Sequence, residues 1–274
     1  FVAGVFHVLW NYLAKSSDNK IVFLWIINTV FIVTYLPIFF LLDNPLVLSV
    51  KGWMMVLISG LSHAIYFWSL GKAYEAGDLS LVYPLARGSS VFLVPILSVP
   101  LLAEQLSVIG GIAIGLVLVG IFVLHMKPGP WKNLGHFSNT SGSMWALLTG
   151  GAITLFLLVD KVGVGIIDPI LYTYLVFLAT AVFFTPMVLV KGVSPIQKTW
   201  RGQSVRLIIL GLLMPVAYAL ILFAYKLAPV AYVVASREIR LVFGTIIGAF
   251  ALKEGNAPLR ISGATLIALG VLIL

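Results

Sequence analysis

Long apolar runs recur along the whole chain, each broken by a short stretch marked by charge, proline or glycine. The runs are continuous rather than alternating. They far exceed the ~10 residues of a membrane barrel strand, and about 20 apolar residues suffice for a helix to cross the hydrocarbon core. The pattern predicts ten helical spans, over residues 1–15, 21–42, 52–76, 79–102, 106–126, 143–161, 168–190, 204–227, 230–252 and 257–274. The stretch from Phe1 to Ala14 is followed by Lys15-Ser-Ser-Asp-Asn-Lys20 and by no small-residue cleavage signal. It reads as a first span whose beginning is lost, not as a secretory leader. The longest break, rich in Pro, Gly, Ser and Asn, covers 127–142 and separates a first half, 1–126, from a second, 143–274. The expected fold is an all-α polytopic membrane protein with five spans on either side of that loop.

The two halves match. At an offset of 150 residues Arg87 falls on Arg237, Glu104 on Glu254, Ala113 on Gly263 and Gly120 on Gly270. With one residue of slippage Ala73-Tyr74 falls on Ala224-Tyr225, and Pro37 matches Pro186 at an offset of 149. An ordered set of this kind points to an internal duplication. Five is odd, so the second half enters the membrane upside down. Inverted five-helix repeats are a transporter architecture, with the substrate site near the midplane between them.

Composition agrees with the pattern. Of 274 residues 61% are hydrophobic and 9% charged, and the mean hydropathy is +1.11; soluble domains are about 45–50% apolar and about 25% charged. That composition excludes soluble and disordered classes, and nucleic-acid binding with them, since the +8 net charge is thinly spread. There is no cysteine, hence no disulfide, thiolate metal site or cysteine nucleophile. Lys and Arg fall eleven times in loops after odd-numbered spans and three times after even-numbered ones, at Lys51, Lys161 and Lys226. By the positive-inside rule this puts the odd loops in the cytoplasm and both termini outside.

Three cations lie within spans: Arg87, Arg237 and Arg240. A central charge costs about 2.5–3.5 kcal/mol on insertion scales, so it faces a cavity or a partner. Arg87 lies about 12 Å into its span at 1.5 Å per residue, and Arg237 is similarly deep from the opposite side. Ser80, Tyr83, Arg87 and Ser90 form one polar stripe, and the repeat maps Arg87 and Ser90 onto Arg237 and Arg240. Glu238 sits about 100° round the helix from Arg237. These charges either line a transport cavity or form an ion network that locks helices, and both can hold. His7, Asn11 and Lys15 share a face of the first span, with Trp10 alongside. Asn11 calls for a hydrogen-bond partner, a neighbouring helix or a substrate. His63, with Tyr66 a turn on, reads as a packing or gating group or a ligand. Asn28, Trp25 and Tyr35, and Tyr172, Thr173 and Thr180, are further candidate linings. Trp53, Trp131 and Trp200 read as interfacial anchors. Pro84, Pro95, Pro186 and Pro215 are candidate kinks, and Gly111-x-x-x-Gly115 and Gly244-x-x-x-Gly248 candidate close-packing seams.

No H-E-x-x-H, G-x-S-x-G or P-loop signature occurs, so neither an enzyme nor a metal or cofactor site is expected. Deep acids are few: Glu238 and, less centrally, Asp160. Glu238 is the candidate for proton coupling or an ion pair, with Arg237 and Arg240 opposing its protonation.

The stretch Tyr74-Glu-Ala-Gly-Asp-Leu-Ser-Leu-Val-Tyr-Pro-Leu-Ala-Arg87-Gly followed by Leu102-Ala-Glu104-Gln-Leu-Ser resembles the EamA family of the drug/metabolite transporter superfamily. So do Ala224-Tyr-Lys-Leu-Ala-Pro-Val-Ala-Tyr232, Ser236-Arg237-Glu238 and Leu252-Lys-Glu254, and His7-Val-Leu-Trp10-Asn11 is similar to the opening helix of one EamA-like subgroup. The resemblance covers essentially the whole chain. It implies ten helices in two inverted repeats, a central cavity built from spans 1–4 and 6–9, and export, less often uptake, of small metabolites. It implies that Tyr83, Arg87, Arg237, Glu238, Trp10 and Asn11 border the cavity, and that Glu104 and Glu254 are helix-terminal structural residues. It also implies both termini in the cytoplasm, opposite to the loop charges. The expectation is an alternating-access carrier, most simply an exporter of amino acids or related zwitterionic or anionic compounds, in a bacterial inner membrane, as monomer or homodimer. Its candidate substrate residues are His7, Trp10, Asn11, His63, Tyr66, Tyr83, Arg87, Ser90, Tyr232, Arg237 and Arg240. A proton is a candidate coupling partner. The rival readings are a nutrient uptake carrier and a non-transporting lipid-handling or membrane-complex subunit.

Overall fold

The computed structural model describes residues 19–41, 47–77, 79–125, 141–190, 192–243, 245 and 257–274. Among these every regular element is a helix: α1 (Lys20–Leu41), α2 (Val50–Ala76), α3 (Leu79–Leu102), α4 (Val108–His125), α5 (Ser141–Gly163), α6 (Pro169–Leu189), α7 (Ser194–Leu227), α8 (Val230–Ser236) and α9 (Ala257–Ile273). They fall on the second to tenth predicted spans, most within two residues at each end. Six are long and apolar enough to cross a membrane, and α1 and α9 contain shorter apolar stretches, Ile21–Pro37 and Leu259–Ile273. The predicted first span, with His7, Trp10 and Asn11, lies outside the described residues, as do Trp131, Glu254 and the 244–248 glycine pair.

Local chemistry sets the starts. Asp168 Oδ1 accepts from Ile170 N (2.8 Å) and Leu171 N (3.4 Å), with Pro169 in the first turn, where its missing N–H costs nothing. Ser49 Oγ accepts from Gly52 N at 3.1 Å to start α2, and Asn19 Oδ1 from Val22 N at 3.3 Å to start α1.

One predicted span is corrected, and another gains a preceding piece. α7 starts at Ser194 but is broken at Gln203 (φ −142°, ψ 19°), so its apolar part begins where the eighth span is predicted, at 204. The break sits before the apolar run and not at Pro215. The exposed, cation-bearing turns before it, with Lys198 and Arg201, are a separate helical piece. The ninth is not continuous. It stops at Ser236, turns through Arg237 and Glu238, and resumes over 239–243. There the backbone tightens, with Glu238 N bonded to Ala235 O (3.1 Å) and Leu241 N to Glu238 O (2.9 Å). Three-residue spacing of this kind marks a local 3₁₀ turn. Pro84, Pro95 and Pro100 leave α3 a single helix.

Most of the core is one large apolar cluster shared by α1 to α9, with two smaller ones beside it, one of them Phe31, Tyr174 and Phe177. α2 packs most extensively on α5, α4 on α9, α3 on α5, α2 on α6 and α1 on α7, with α1·α6 and α3·α8 also in contact. Close approach is purchased by glycine, though not at Gly111 and Gly115, which face open space. A Cβ at Gly120 would stand 2.8 Å from Gly263 O, and one at Gly270 would stand 2.7 Å from Ala113 O, so α4 and α9 meet backbone to backbone. Gly60 of α2 does the same against Ala179 of α6.

Candidate functional site

Asp160, in the last turn of α5 and 0% exposed, carries a dense set of side-chain hydrogen bonds. Its Oδ1 accepts from Ser59 Oγ of α2 at 2.5 Å and from Tyr172 OH of α6 at 3.0 Å. Its Oδ2 accepts from Tyr218 OH of α7. One carboxylate thus ties four helices together, and three hydroxyl protons satisfy its charge.

The α2 donor belongs to a stripe. Ser59, His63 and Tyr66 recur at i, i+4, i+7 on one helix face, and all are buried. His63 Nδ1 lies 2.9 Å from Ser59 O. A carbonyl only accepts, so Nδ1 carries the proton. The imidazole stacks on Phe156 (3.9 Å, 26°) and meets Tyr218 edge-on (5.5 Å, 87°). His63 thus sits among aromatic rings beside Asp160. Tyr66 carries the stripe to α3, where its hydroxyl accepts from Arg87 Nη2 at 3.4 Å. The Arg87 guanidinium also lies 5.8 Å from the centroid of the Tyr83 ring.

Ser90 donates to Arg87 O at 2.8 Å, a bond within its own helix. Of the predicted stripe, Ser80 lies in α3 with its side chain outside the described set.

The turn after α8 brings the remaining charges in. Arg240 Nη2 and Glu238 Oε1 form a buried pair at 2.6 Å, with Arg240 2% and Glu238 3% exposed. Arg237, partly buried, bears electrostatically on Tyr225, Asp160 and His63 as well as on Arg87, Arg240 and Glu238. Glu238 also acts on Arg87. The predicted intramembrane charges are thus brought within reach of one another, and Asp160 joins them. Three arginines against two carboxyl groups leave the centre net positive.

Other candidates take structural positions. Tyr232 OH lies 2.8 Å from Ser107 N, from which it accepts, and 3.3 Å from Ser107 Oγ, which closes the α8–α4 junction. Glu104 Oε1 accepts from Val230 N at 2.7 Å, capping α8 from the loop after α3, and pairs with Lys161 at 3.8 Å. Lys161 is not a loop residue. It ends α5 and donates to Ala228 O (2.8 Å) and Tyr225 O, satisfying the last carbonyls of α7. Trp25 Nε1 donates to Thr185 Oγ1 (2.9 Å) and Asn28 Nδ2 to Phe177 O (3.2 Å), which bind α1 to α6. Among the described residues no cluster of His, Asp and Glu could hold a metal.

Residues 140–274 match the EamA-like transporter family. Through this half the chain belongs to that family. The EamA assignment makes it an integral membrane protein of a family that transports small molecules, and sets transport above catalysis. In fold it is similar to 27 chains of solved structures. One of them, titled "Crystal structure of protein", superposes with a TM-score of 0.76 at 13% identity, covering 100% of this chain and 93% of that one. No curated protein matches the sequence.

Proposed function

We propose that this EamA protein is an alternating-access carrier of small zwitterionic or anionic metabolites, working in the exporting direction that the resemblance implies. The observation that carries the reading is the occluded polar centre with an excess positive charge at a broken helix. Charges buried in a membrane protein mark a substrate or ion path, and a helix break at such depth belongs where it lines a site. Arg87 and Arg237 hold the anionic group, a carboxylate being the simplest. Tyr66 and Tyr83 orient Arg87. The Glu238–Arg240 pair keeps the turn in place.

The coupling role moves from Glu238 to Asp160. Glu238 is committed to Arg240, whereas Asp160 is hydrogen-bonded by hydroxyls, with Arg237 acting on it without a direct ion pair. Asp160 has no exposed surface. A proton needs no volume there, and an organic cation does.

Two inverted repeats, 1–126 and 143–274, supply the moving parts. Helix packing supports this. Exchanging each span for its partner five places on turns the α2·α6 contact into α1·α7, and maps α1·α6, α3·α8 and α4·α9 onto themselves. The glycines follow suit. The offset of 150 carries the contact of Ala113 with Gly270 onto that of Gly263 with Gly120, as a two-fold relation requires.

The test is a thermal-shift panel of amino acids, amines, phosphorylated compounds and nucleobases, then labelled-substrate exchange in liposomes. Zwitterions or anions should stabilise the protein, and Arg87→Ala should abolish exchange while the protein stays folded. No ligand and no flux, together with scrambling of a labelled lipid, would overturn the carrier reading in favour of lipid handling. A pH gradient should drive wild-type and Glu238→Gln flux, and should fail to drive Asp160→Asn. Gradient-driven flux in Asp160→Asn would remove Asp160 from coupling.

A further inference from the structure

On the other side of the aromatic wall from Asp160, a cavity of about 320 Å³ lies between α1, α6 and α7. Its inner wall is Phe31 and Tyr174, both buried. Behind them Phe31 packs on Phe177 (5.1 Å), which meets Tyr218 edge-on (5.3 Å), the residue that donates to Asp160. Its outer rim is Val216, Leu220 and Phe223 of α7, which are 40–48% exposed and face the bilayer.

Three lining residues carry hydroxyls, and each is spent on backbone. Tyr35 OH donates to Leu212 O (2.8 Å), Tyr174 OH to Ile32 O (3.4 Å) and Thr173 Oγ1 to Pro169 O (2.7 Å). The wall therefore offers carbon and asks for no hydrogen bond. A cavity of about 150 Å³ with such a lining already binds benzene, and this one is twice that size.

Its direction matters as much as its chemistry. Ile170 and Phe223 lie near helix ends that share one membrane face, close to Asp168 and Leu227. Pro215 and Phe31 lie near mid-helix. From 223 to 215 the cavity runs about 12 Å along the helix axis, at 1.5 Å per residue. It leads from the interface toward the midplane, the course of a lipid chain.

We propose that this cavity is a binding site for one acyl chain of a bilayer phospholipid, entering between α6 and α7 with its ester end at Ile170 and its methyl end at Phe31. An apolar void open to hydrocarbon forfeits the dispersion contacts of its lining, and the chain restores them. The chain wedges α6 from α7 and backs the aromatic wall of the polar centre. The site does not depend on the cargo, so it stands or falls apart from the carrier reading.

The test uses the full chain in palmitoyl-oleoyl-phosphatidylcholine vesicles doped with a phosphatidylcholine bearing a photoactivatable diazirine, placed either at the chain end or near the ester. Peptide mapping should find the chain-end label on Phe31 and Pro215 and the ester-end label on Ile170 and Phe223. Ala219→Trp fills the cavity. It should cut labelling there on the order of tenfold, the ratio for about 1.4 kcal/mol of lost packing. Labelling of exposed Phe122 on α4 should stay constant. Thr173→Phe fills it from the opposite wall and serves if Ala219→Trp does not fold. Uniform labelling of all lipid-facing helices, labelling that ignores diazirine depth, or labelling unchanged by both fillings would overturn the proposal.

Discussion

The hydroxyl cage of Asp160 makes a quantitative prediction. Tyr218→Phe removes one of the three donors to a fully buried carboxylate and leaves Ser59 and Tyr172 in place. A hydrogen bond to a charged group is worth about 1.5–3 kcal/mol, and one between neutral groups about 0.5–1.5. Tyr218→Phe should therefore cost about 1.5–3 kcal/mol in wild type. In an Asp160→Asn background the same substitution deletes a neutral bond, at a cost of about 0.5–1.5 kcal/mol. The double-mutant cycle should return a coupling of about 1–1.5 kcal/mol, the difference between the two. Reversible unfolding of the four proteins in mixed detergent micelles measures it. Additivity within about 0.5 kcal/mol is what independent sites show, and that result would refute the cage. A cost well under 0.5 kcal/mol for Tyr218→Phe alone would refute it too.

Further outcomes follow from other contacts. Glu238→Gln leaves Arg240 without its charged partner in a buried site, and should lower stability by about 3–5 kcal/mol on the scale of broken buried pairs, read by the same unfolding assay. Gly120→Leu and Gly263→Leu each push α4 from α9, and should destabilise by about 1–3 kcal/mol or more, whereas Gly111→Leu on an open face should be near neutral. Lys161→Met strips the α7 carbonyls and Glu104 of their donor; hydrogen exchange should accelerate at the α7–α8 junction and not at α4. Ala103 holds a left-handed φ of 52° after α3, a conformation costing about 1–2 kcal/mol for an L-residue, so Ala103→Gly should raise the melting temperature.

Much of the architecture was legible in the sequence for a plain reason. In lipid every backbone group must bond within its own segment, so an apolar run long enough to span is a helix wherever it packs. That is why α1 to α7 and α9 fall on predicted spans. The cost of a buried charge likewise singled out Arg87, Arg237, Arg240 and Glu238 before any contact was known. Asp160 stands out less in the sequence than Glu238, because it lies near the end of its run. Its donors stand 101, 12 and 58 residues away in the chain, and no local pattern joins them. The same holds for the tight seam. Spacing pointed to Gly111 and Gly115, but the partner helix lies on the other face, at Gly120. Sequence alone determined which segments cross and which side chains are too costly to bury unpartnered. The tertiary structure decided which partners they meet, since a helix fixes its own hydrogen bonds locally while side-chain pairing depends on which helix face is presented to which neighbour.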